Sequence, residues 1–232
     1  MNHENYQQKI RSDFDRIALY DIEMWNHNNH YHSFLLDQLP SKGDIALDIG
    51  CGTGAFSRLL AKRFERVIAL DLSPNAIEIA RQRSQDYRNI DYQVADIEMW
   101  KLPLEKFDSI VSIATLHHLS VENLLPDLKA ALKPGGKLVV LDLLKYESIK
   151  DYVSDLIAVP LNKLFLLQNR HIARPLEAIE VMKEHLRTDE FLTLSQVKQI
   201  YLNSLDKAKI RKHLFWRYSV VWQKQLSENK SN

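Results

Sequence analysis

The chain has 232 residues, 45% hydrophobic and 26% charged, the balance of a globular domain long enough to bury a sizeable core. A formal net charge of +1 gives no global field toward nucleic acid or anionic lipid, and the one cysteine, Cys51, excludes an internal disulfide framework and a multi-cysteine zinc site. Met1 to Lys9 has no apolar stretch and no apolar run reaches the roughly 18 residues of a membrane span, so a cytoplasmic protein without secretory signal or membrane anchor is expected.

Between Ile10 and Leu39 apolar residues recur at three- and four-residue spacings, which predicts two helices, and Pro40 to Asp44 punctuates the chain as a loop. Ile45 to Ile49 is a short apolar run ending at glycines, as a buried parallel strand would. Phe56 to Phe64 reads as a helix and Arg66 to Leu70 as a second strand. Ser73 and Pro74 supply a hydroxyl cap and a first-turn proline for a helix reaching about Ser84. Ile90 to Val94 and Ser109 to Ile113 are the third and fourth strands. Ser120 is placed to cap a helix over Val121 to Leu132, which stops at Lys133-Pro134-Gly135-Gly136 before a fifth strand, Lys137 to Leu141. Glu147 to Ser204 reads as mostly helical and is too long for a simple crossover, and Leu156 to Leu167 within it reads as a helix with one apolar face. Ile210 to Leu214 and Tyr218 to Trp222 predict a final antiparallel pair.

Strands alternating with helices imply right-handed crossovers and a parallel sheet. The expectation is one α/β domain over 1–232. It has a helical cap over 1–43, a cofactor-binding core over 44–146, a helical substrate lid over 147–206 and a strand pair over 207–224.

The loop Gly50-Cys51-Gly52-Thr53-Gly54 lies between a strand and a helix, where glycines admit close backbone approach and the helix start offers free N–H groups. Alone, that also suits a dinucleotide. The spacing, however, is G-x-G-x-G; helical sequence precedes the first strand; and Asp48 stands two residues before the first glycine, where it would repel a pyrophosphate and attract an ammonium. Asp71 ends the second strand, where a carboxylate accepts ribose hydroxyls, and Leu72 follows it. Asp96 follows the third strand, able to accept from an adenine amine, with Ile97 beside the ring. These acids describe a ligand with an ammonium, a ribose diol and an adenine.

The run Ala46 to Gly54 resembles the first motif of the class I S-adenosylmethionine-dependent methyltransferases. Asp71, Ala95-Asp96-Ile97, Phe107 to Val111 and Leu132 to Leu138 are similar to the later motifs, in order. The resemblance implies a Rossmann-like sheet of seven strands, mostly parallel with an antiparallel last strand and helices on both faces. It also implies S-adenosylmethionine as cofactor and S-adenosylhomocysteine as product. Asp48, Gly50, Cys51, Gly52, Thr53, Gly54, Asp71, Leu72, Asp96, Ile97 and Ala114 are the expected cofactor residues, Cys51 as a small loop residue and not a nucleophile. Asp48 has two open roles, ligand contact or support of the glycine loop, while Asp108 and Lys137 serve the strand edges.

In such enzymes the segment Ala114-Thr115-Leu116-His117-His118 passes beside the methyl group, which makes His118 and His117 the base candidates or pocket wall. The chain has no Asn/Asp-Pro-Pro-aromatic motif there, as amino-methylating DNA enzymes do, and no acid there, as catechol-type metal enzymes do. His27, His30 and His32 form a histidine-rich stretch, but on a helix His32 would point away from the other two, and no metal is expected. His30 and Tyr31 are instead the substrate-contact candidates. Lys207 to Arg217 is basic but reads as a solvated strand face rather than an RNA track, and its aromatics as strand packing. The leading expectation is methyl transfer to oxygen or nitrogen of a small molecule. A tRNA or protein methyltransferase, a non-catalytic cofactor-binding module and a nicotinamide oxidoreductase are the alternatives.

Overall fold

The structure, a computed structural model, describes residues 3–21, 26–147, 159–160, 176–187 and 189–226. In chain order the described elements are α1 (His3–Ala18), a 3-10 turn (Asn29–Tyr31), α2 (His32–Gln38), β1 (Gly43–Ile49), α3 (Ala55–Leu60), β2 (Phe64–Asp71), α4 (Pro74–Arg83), β3 (Ile90–Val94) and β4 (Phe107–Ile113). A second 3-10 turn (Leu116–His118), α5 (Val121–Ala131), β5 (Leu132–Leu143), α6 (Leu176–Leu186), α7 (Leu194–Ser204), β6 (Lys209–His213) and β7 (Arg217–Gln223) follow. Most of the apolar run Leu156 to Leu167 lies outside the described residues.

One sheet of seven strands has the order β3-β2-β1-β4-β5-β7-β6. β1 to β5 pair in parallel, while β7 runs antiparallel to β5 and to β6. The order reverses beside β1, between β2 and β4, so the connections leave on opposite faces and a crevice opens at the carboxyl ends of these strands. β7 is antiparallel, so its amino end reaches the same rim.

Apolar residues on both faces of the sheet account for the layers. On one face Leu124, Leu125 and Leu128 of α5 and Val197 and Tyr201 of α7 pack with Leu47, Ile110 and Leu138. On the other, Leu35 of α2, Phe56 and Leu60 of α3 and Ile77 and Ala80 of α4 pack with Ala46, Val67 and Val139. Removing a side chain such as Leu35, fully buried, would cost about 2–5 kcal/mol.

Some element ends and one cap differ from the pattern in the sequence. α3 stops at Leu60 because Phe64, 2% exposed, enters β2 instead of closing the helix. β5 begins at Leu132, taking in Lys133 to Gly136: Gly135 N–H donates to Lys224 O at 3.0 Å and Lys224 N–H to Gly136 O at 2.9 Å, extending the pairing to β7. A Cβ at Gly136 would stand 2.8 Å from Lys133 O and 3.0 Å from Phe107 O, so this close backbone approach requires glycine. Finally, Ser120 makes no side-chain cap; its backbone N–H donates to Glu98 Oε1 at 2.9 Å. Ser73 does cap α4, its Oγ accepting from Ala76 N–H at 3.0 Å. Asp108 and Lys137 serve the frame, Asp108 Oδ2 accepting from Asp44 and Ile45 N–H and Lys137 Nζ donating to Gln38 O.

Candidate active site

The loop after β1 is held from beneath by β2: Gly50 and Cys51 N–H donate to Leu70 O at 2.8 and 3.0 Å. Gly50 has φ +71, and a Cβ there would lie 2.0 Å from Thr115 Oγ1, so the loop packs directly against the segment after β4. Asp71 fixes the loop from the next strand, its Oδ2 accepting from Gly52 N–H at 2.8 Å and its Oδ1 from Ser73 N–H at 2.9 Å. Asp48, 2% exposed, accepts from Ser57 Oγ of α3 at 2.6 Å. Burial pushes its carboxyl up to about 7, against the opposing effect of the Ser57 hydrogen bond. Burial also raises Asp71, and neither acid is paired with a lysine or arginine among the described residues.

Above these groups is a cavity of about 900 Å³, within the size of small-ligand pockets. The strand ends supply its floor: Asp48 to Thr53, Asp71 and Leu72, Asp96 and Ile97, Ala114 and Thr115, Leu143 and Leu144, and Arg217. Phe14 and Ile17 of α1 and Met182 and His185 of α6 close over it. Ala114 has φ +52, a costly conformation for a residue with a side chain, and lies in the cavity wall with its N–H on Leu141 O at 2.8 Å.

The segment after β4 adds a polar wall to the same cavity. Asp142 of β5 accepts from His117 N–H through Oδ2 at 3.0 Å, and its Oδ1 is 2.6 Å from His117 Nδ1. His118 packs edge-on against Phe14, with ring centroids 5.4 Å apart. Burial, then the neighbouring His117 and His185, push the His118 ring down to about 2, so it is neutral. His185 Nε2 lies 3.3 Å from Asp189 Oδ2.

Residues 47–140 match the methyltransferase domain family. Demethylmenaquinone methyltransferase of Tropheryma whipplei is 32% identical over 149 residues, covering 60% of this chain and 60% of that protein. Ubiquinone biosynthesis O-methyltransferase of Coxiella burnetii is 35% identical over 107 residues, 45% of this chain and 46% of that protein. The chain therefore spans no more than 60% of the length of either relative. The DhpI–SAH complex has a TM-score of 0.66 at 15% identity, over 97% of this chain and 99% of that one. A phosphoethanolamine N-methyltransferase of Haemonchus contortus, solved with S-adenosylhomocysteine, gives 0.56 at 20% identity, over 63% and 34%. These two likenesses show the shared fold. The core of this chain is a class I S-adenosylmethionine-dependent methyltransferase domain.

The cofactor of this methyltransferase class fits the cavity on the chain's own chemistry. Asp48, buried, and Asp71, half-buried, face no protein cation among the described residues and border the space where a cationic ligand would sit. A Cβ built at Gly52 meets nothing within 4 Å, so the loop backbone faces open space. Of the residues expected from sequence, Asp48, Gly50, Cys51, Gly52, Thr53, Asp71, Leu72, Asp96, Ile97 and Ala114 line the cavity. Cys51 is buried, and burial raises its thiol, as suits a loop residue rather than a nucleophile. Asp96 Oδ1 accepts from Glu98 N–H at 2.9 Å, shaping its turn.

Gly54 does not line the cavity. It has φ +84 and backs onto Tyr92, whose hydroxyl would be 2.3 Å from an added Cβ. His30 and Tyr31 do not line it either. Tyr31 is 8% exposed and donates its hydroxyl to Leu214 O at 3.0 Å, and His30 meets the rings of Tyr31 and Phe215. The 3-10 turn sends Tyr31 into the packing, leaves His30 exposed against its ring neighbours, and keeps Asn26, His27, Asn28, Asn29 and His32 on the cavity.

Several site residues escape a reading of the sequence. Asp21, at the cavity, accepts from Thr53 Oγ1 and pairs with Arg83 at 2.8 Å, tying the segment after α1 to the loop. Arg217 ends the basic stretch that reads as a solvated face, yet it is 7% exposed and reaches the cavity. It donates to Asn28 Oδ1 at 2.8 and 3.0 Å, and burial lowers its pKa to about 10. The preceding turn explains its direction: Phe215 and Trp216 both have φ +56, a tight hairpin that starts β7 at the rim. Neither turn residue is Gly, Asn or Asp, so this hairpin carries no signal in sequence.

Proposed function

We propose that this protein transfers the methyl group of S-adenosylmethionine to an oxygen or nitrogen of a small-molecule acceptor. The observation that carries this reading is that one cavity is lined by the glycine loop, by Asp48 and Asp71, and by His117, His118 and His185. In-line displacement needs the acceptor atom on the far side of the methyl from sulfur. The methyl–sulfur bond breaks as the new bond forms, sulfur keeps the electron pair, and an acceptor proton leaves to solvent. Alignment supplies most of the acceleration.

Asp48 and Asp71 are assigned to the cofactor's ammonium and ribose, and Asp96 and Ile97 to its adenine. Support comes from their positions at successive strand ends around one cavity. His117 presents Nε2 as a lone-pair donor, because Asp142 holds Nδ1. His118 is a wall residue: a ring held neutral down to about pH 2 is too weakly basic to take a proton efficiently. The helical segment before the last strand pair acts as lid, since Ala178, Met182 and Leu186 of α6 and the following Phe191 line the cavity. With Phe14 these residues favour an acceptor with an apolar body. The relatives named for demethylmenaquinone and ubiquinone biosynthesis lend weight to that class.

Calorimetric titration with S-adenosylhomocysteine and with NAD tests the cofactor, and binding of NAD alone would refute the reading. A screen of small phenols, amines and carboxylates with methyl-labelled cofactor tests the acceptor. Label transferred to RNA or protein, but to no small molecule, would move the assignment to a polymer.

A further inference from the structure

The histidine wall is more ordered than a pocket wall needs. His117, in the turn after β4, is fixed twice by Asp142, leaving Nε2 4.0 Å from Asp189 Oδ2. His118 Nδ1 is 3.8 Å from Asp189 Oδ1 and 3.5 Å from the Tyr6 hydroxyl of α1. His185 Nε2 lies 3.3 Å from Asp189 Oδ2, and its Nδ1 lies 3.3 Å from Asp13 Oδ2. Both the Asp189 side chain, 1% exposed, and those of the two wall histidines, 5% and 4%, are out of water.

Two atoms in this group, His118 Nε2 and Asp189 Oδ1, are buried without a hydrogen-bond partner among the described residues. A hydrogen-bonded cluster would close these contacts to about 2.8 Å. The distances of 3.8 and 4.0 Å are instead about half an ångström beyond the roughly 3.3 Å edge of a tetrahedron with metal bonds of about 2.0–2.1 Å. One ligand atom from each of His117, His118 and Asp189 lies within 4.8 Å of the other two.

We propose that His117, His118 and Asp189 form a site for one divalent transition-metal ion of the zinc class, with an open coordination position toward the cavity. Two imidazoles and one carboxylate suit zinc, cobalt, manganese or iron, and do not suit magnesium or calcium, which take all-oxygen sets. Three protein ligands with an open position is the arrangement of reactive rather than purely structural metal sites. The surrounding groups match: Asp142 orients His117 in the carboxylate–histidine manner, while His185, itself against Asp13, orients Asp189. All three ligands line the cavity, so the open position is where an acceptor oxygen or nitrogen would bind. That last role rests on the methyl-transfer reading, but metal binding does not. The site departs from the expectation of no metal because Asp189 is more than seventy residues from His118 in the chain.

The test is titration of chelator-dialysed full-length protein with Zn²⁺ and with Mg²⁺, followed by calorimetry and thermal melting. Expected is saturable, stoichiometric Zn²⁺ binding that raises the melting temperature, with no comparable response to Mg²⁺. Asp189→Asn and His118→Ala should each weaken Zn²⁺ binding by about 100-fold or more and His185→Ala by about 10-fold. His213→Ala, at a histidine bonded to Ser219, should not change it. Should a variant fail to fold, Co²⁺ added to the native protein decides: intense ligand-field bands are expected, and the pale spectrum of the aquo ion would overturn the site. Equal Zn²⁺ affinity in native and Asp189→Asn protein would also overturn it. S-adenosylhomocysteine titrated into the same samples separates the two ideas. Binding of it without Zn²⁺ removes the metal site alone, and binding of Zn²⁺ without it removes the methyl-transfer reading alone.

Discussion

Replacing Asp48 by asparagine should move stability and cofactor affinity in opposite directions. The carboxyl is 2% exposed and faces no protein cation among the described residues, and burial raises it from 3.8 to about 7. The folded state therefore holds a proton that the unfolded state releases near pH 4. Stability drawn from this group is full below the unfolded value, falls as pH rises through the window from about 4 to 7, and is flat above it. A rise of about three units corresponds to roughly 4 kcal/mol at the alkaline end, an upper bound because the buried site relaxes around the charge. Asparagine keeps an oxygen for Ser57 Oγ and never ionises. Urea midpoints of both proteins at closely spaced pH values would measure the difference. The asparagine protein should gain on the native one by about 2–4 kcal/mol between pH 4 and pH 8. The same change should cost about 1.5–3 kcal/mol of S-adenosylhomocysteine affinity, through loss of a charged hydrogen bond to the ammonium. A difference in stability that does not vary with pH would refute the buried-charge reasoning, and unchanged affinity would remove Asp48 from the ligand.

Asp71→Ala should weaken S-adenosylhomocysteine binding by about 1.5–3 kcal/mol in calorimetry, since it removes a charged acceptor and frees the Gly52 and Ser73 N–H groups. Gly54→Ala should lower the melting temperature, at a cost of about 1–3 kcal/mol, because its φ of +84 and the 2.3 Å approach to the Tyr92 hydroxyl both oppose a methyl group. Gly52→Ala meets no neighbour at φ +53, so it should cost only about 1 kcal/mol of stability while reducing cofactor binding measurably. Ala114→Gly should leave stability unchanged or raise it by up to about 1 kcal/mol in urea, because relief at φ +52 offsets the entropy of glycine. A loss above that size would show the backbone there to be unstrained.

The floor of the cavity is legible in the sequence because its residues are local to strand ends. The glycine loop, Asp71 and Asp96 sit at strand ends, and a strand followed by its punctuation is visible in any single chain. The Ser73 cap is legible too, since a cap is satisfied within three residues. Pattern and structure part where a contact crosses elements. Gly54 turned out to be shaped by Tyr92, and Tyr31 by Leu214, partners that no local pattern points to. Lys133 to Gly136 looked like a stop signal, yet pairing with Lys224 made it strand.

By itself the sequence determined the alternating α/β order, the antiparallel end and the acids at successive strand ends, all of which depend on residue spacings of a few positions. Only the tertiary structure decided which side chains meet across the cavity. Asp142 reaches His117 because β5 lies beside β4, Arg217 arrives from a strand that runs the other way, and Asp189 is brought in behind α6. Hydrophobic periodicity fixes which face of each element is buried. It carries no information about which polar residue on one element will stand opposite which on another.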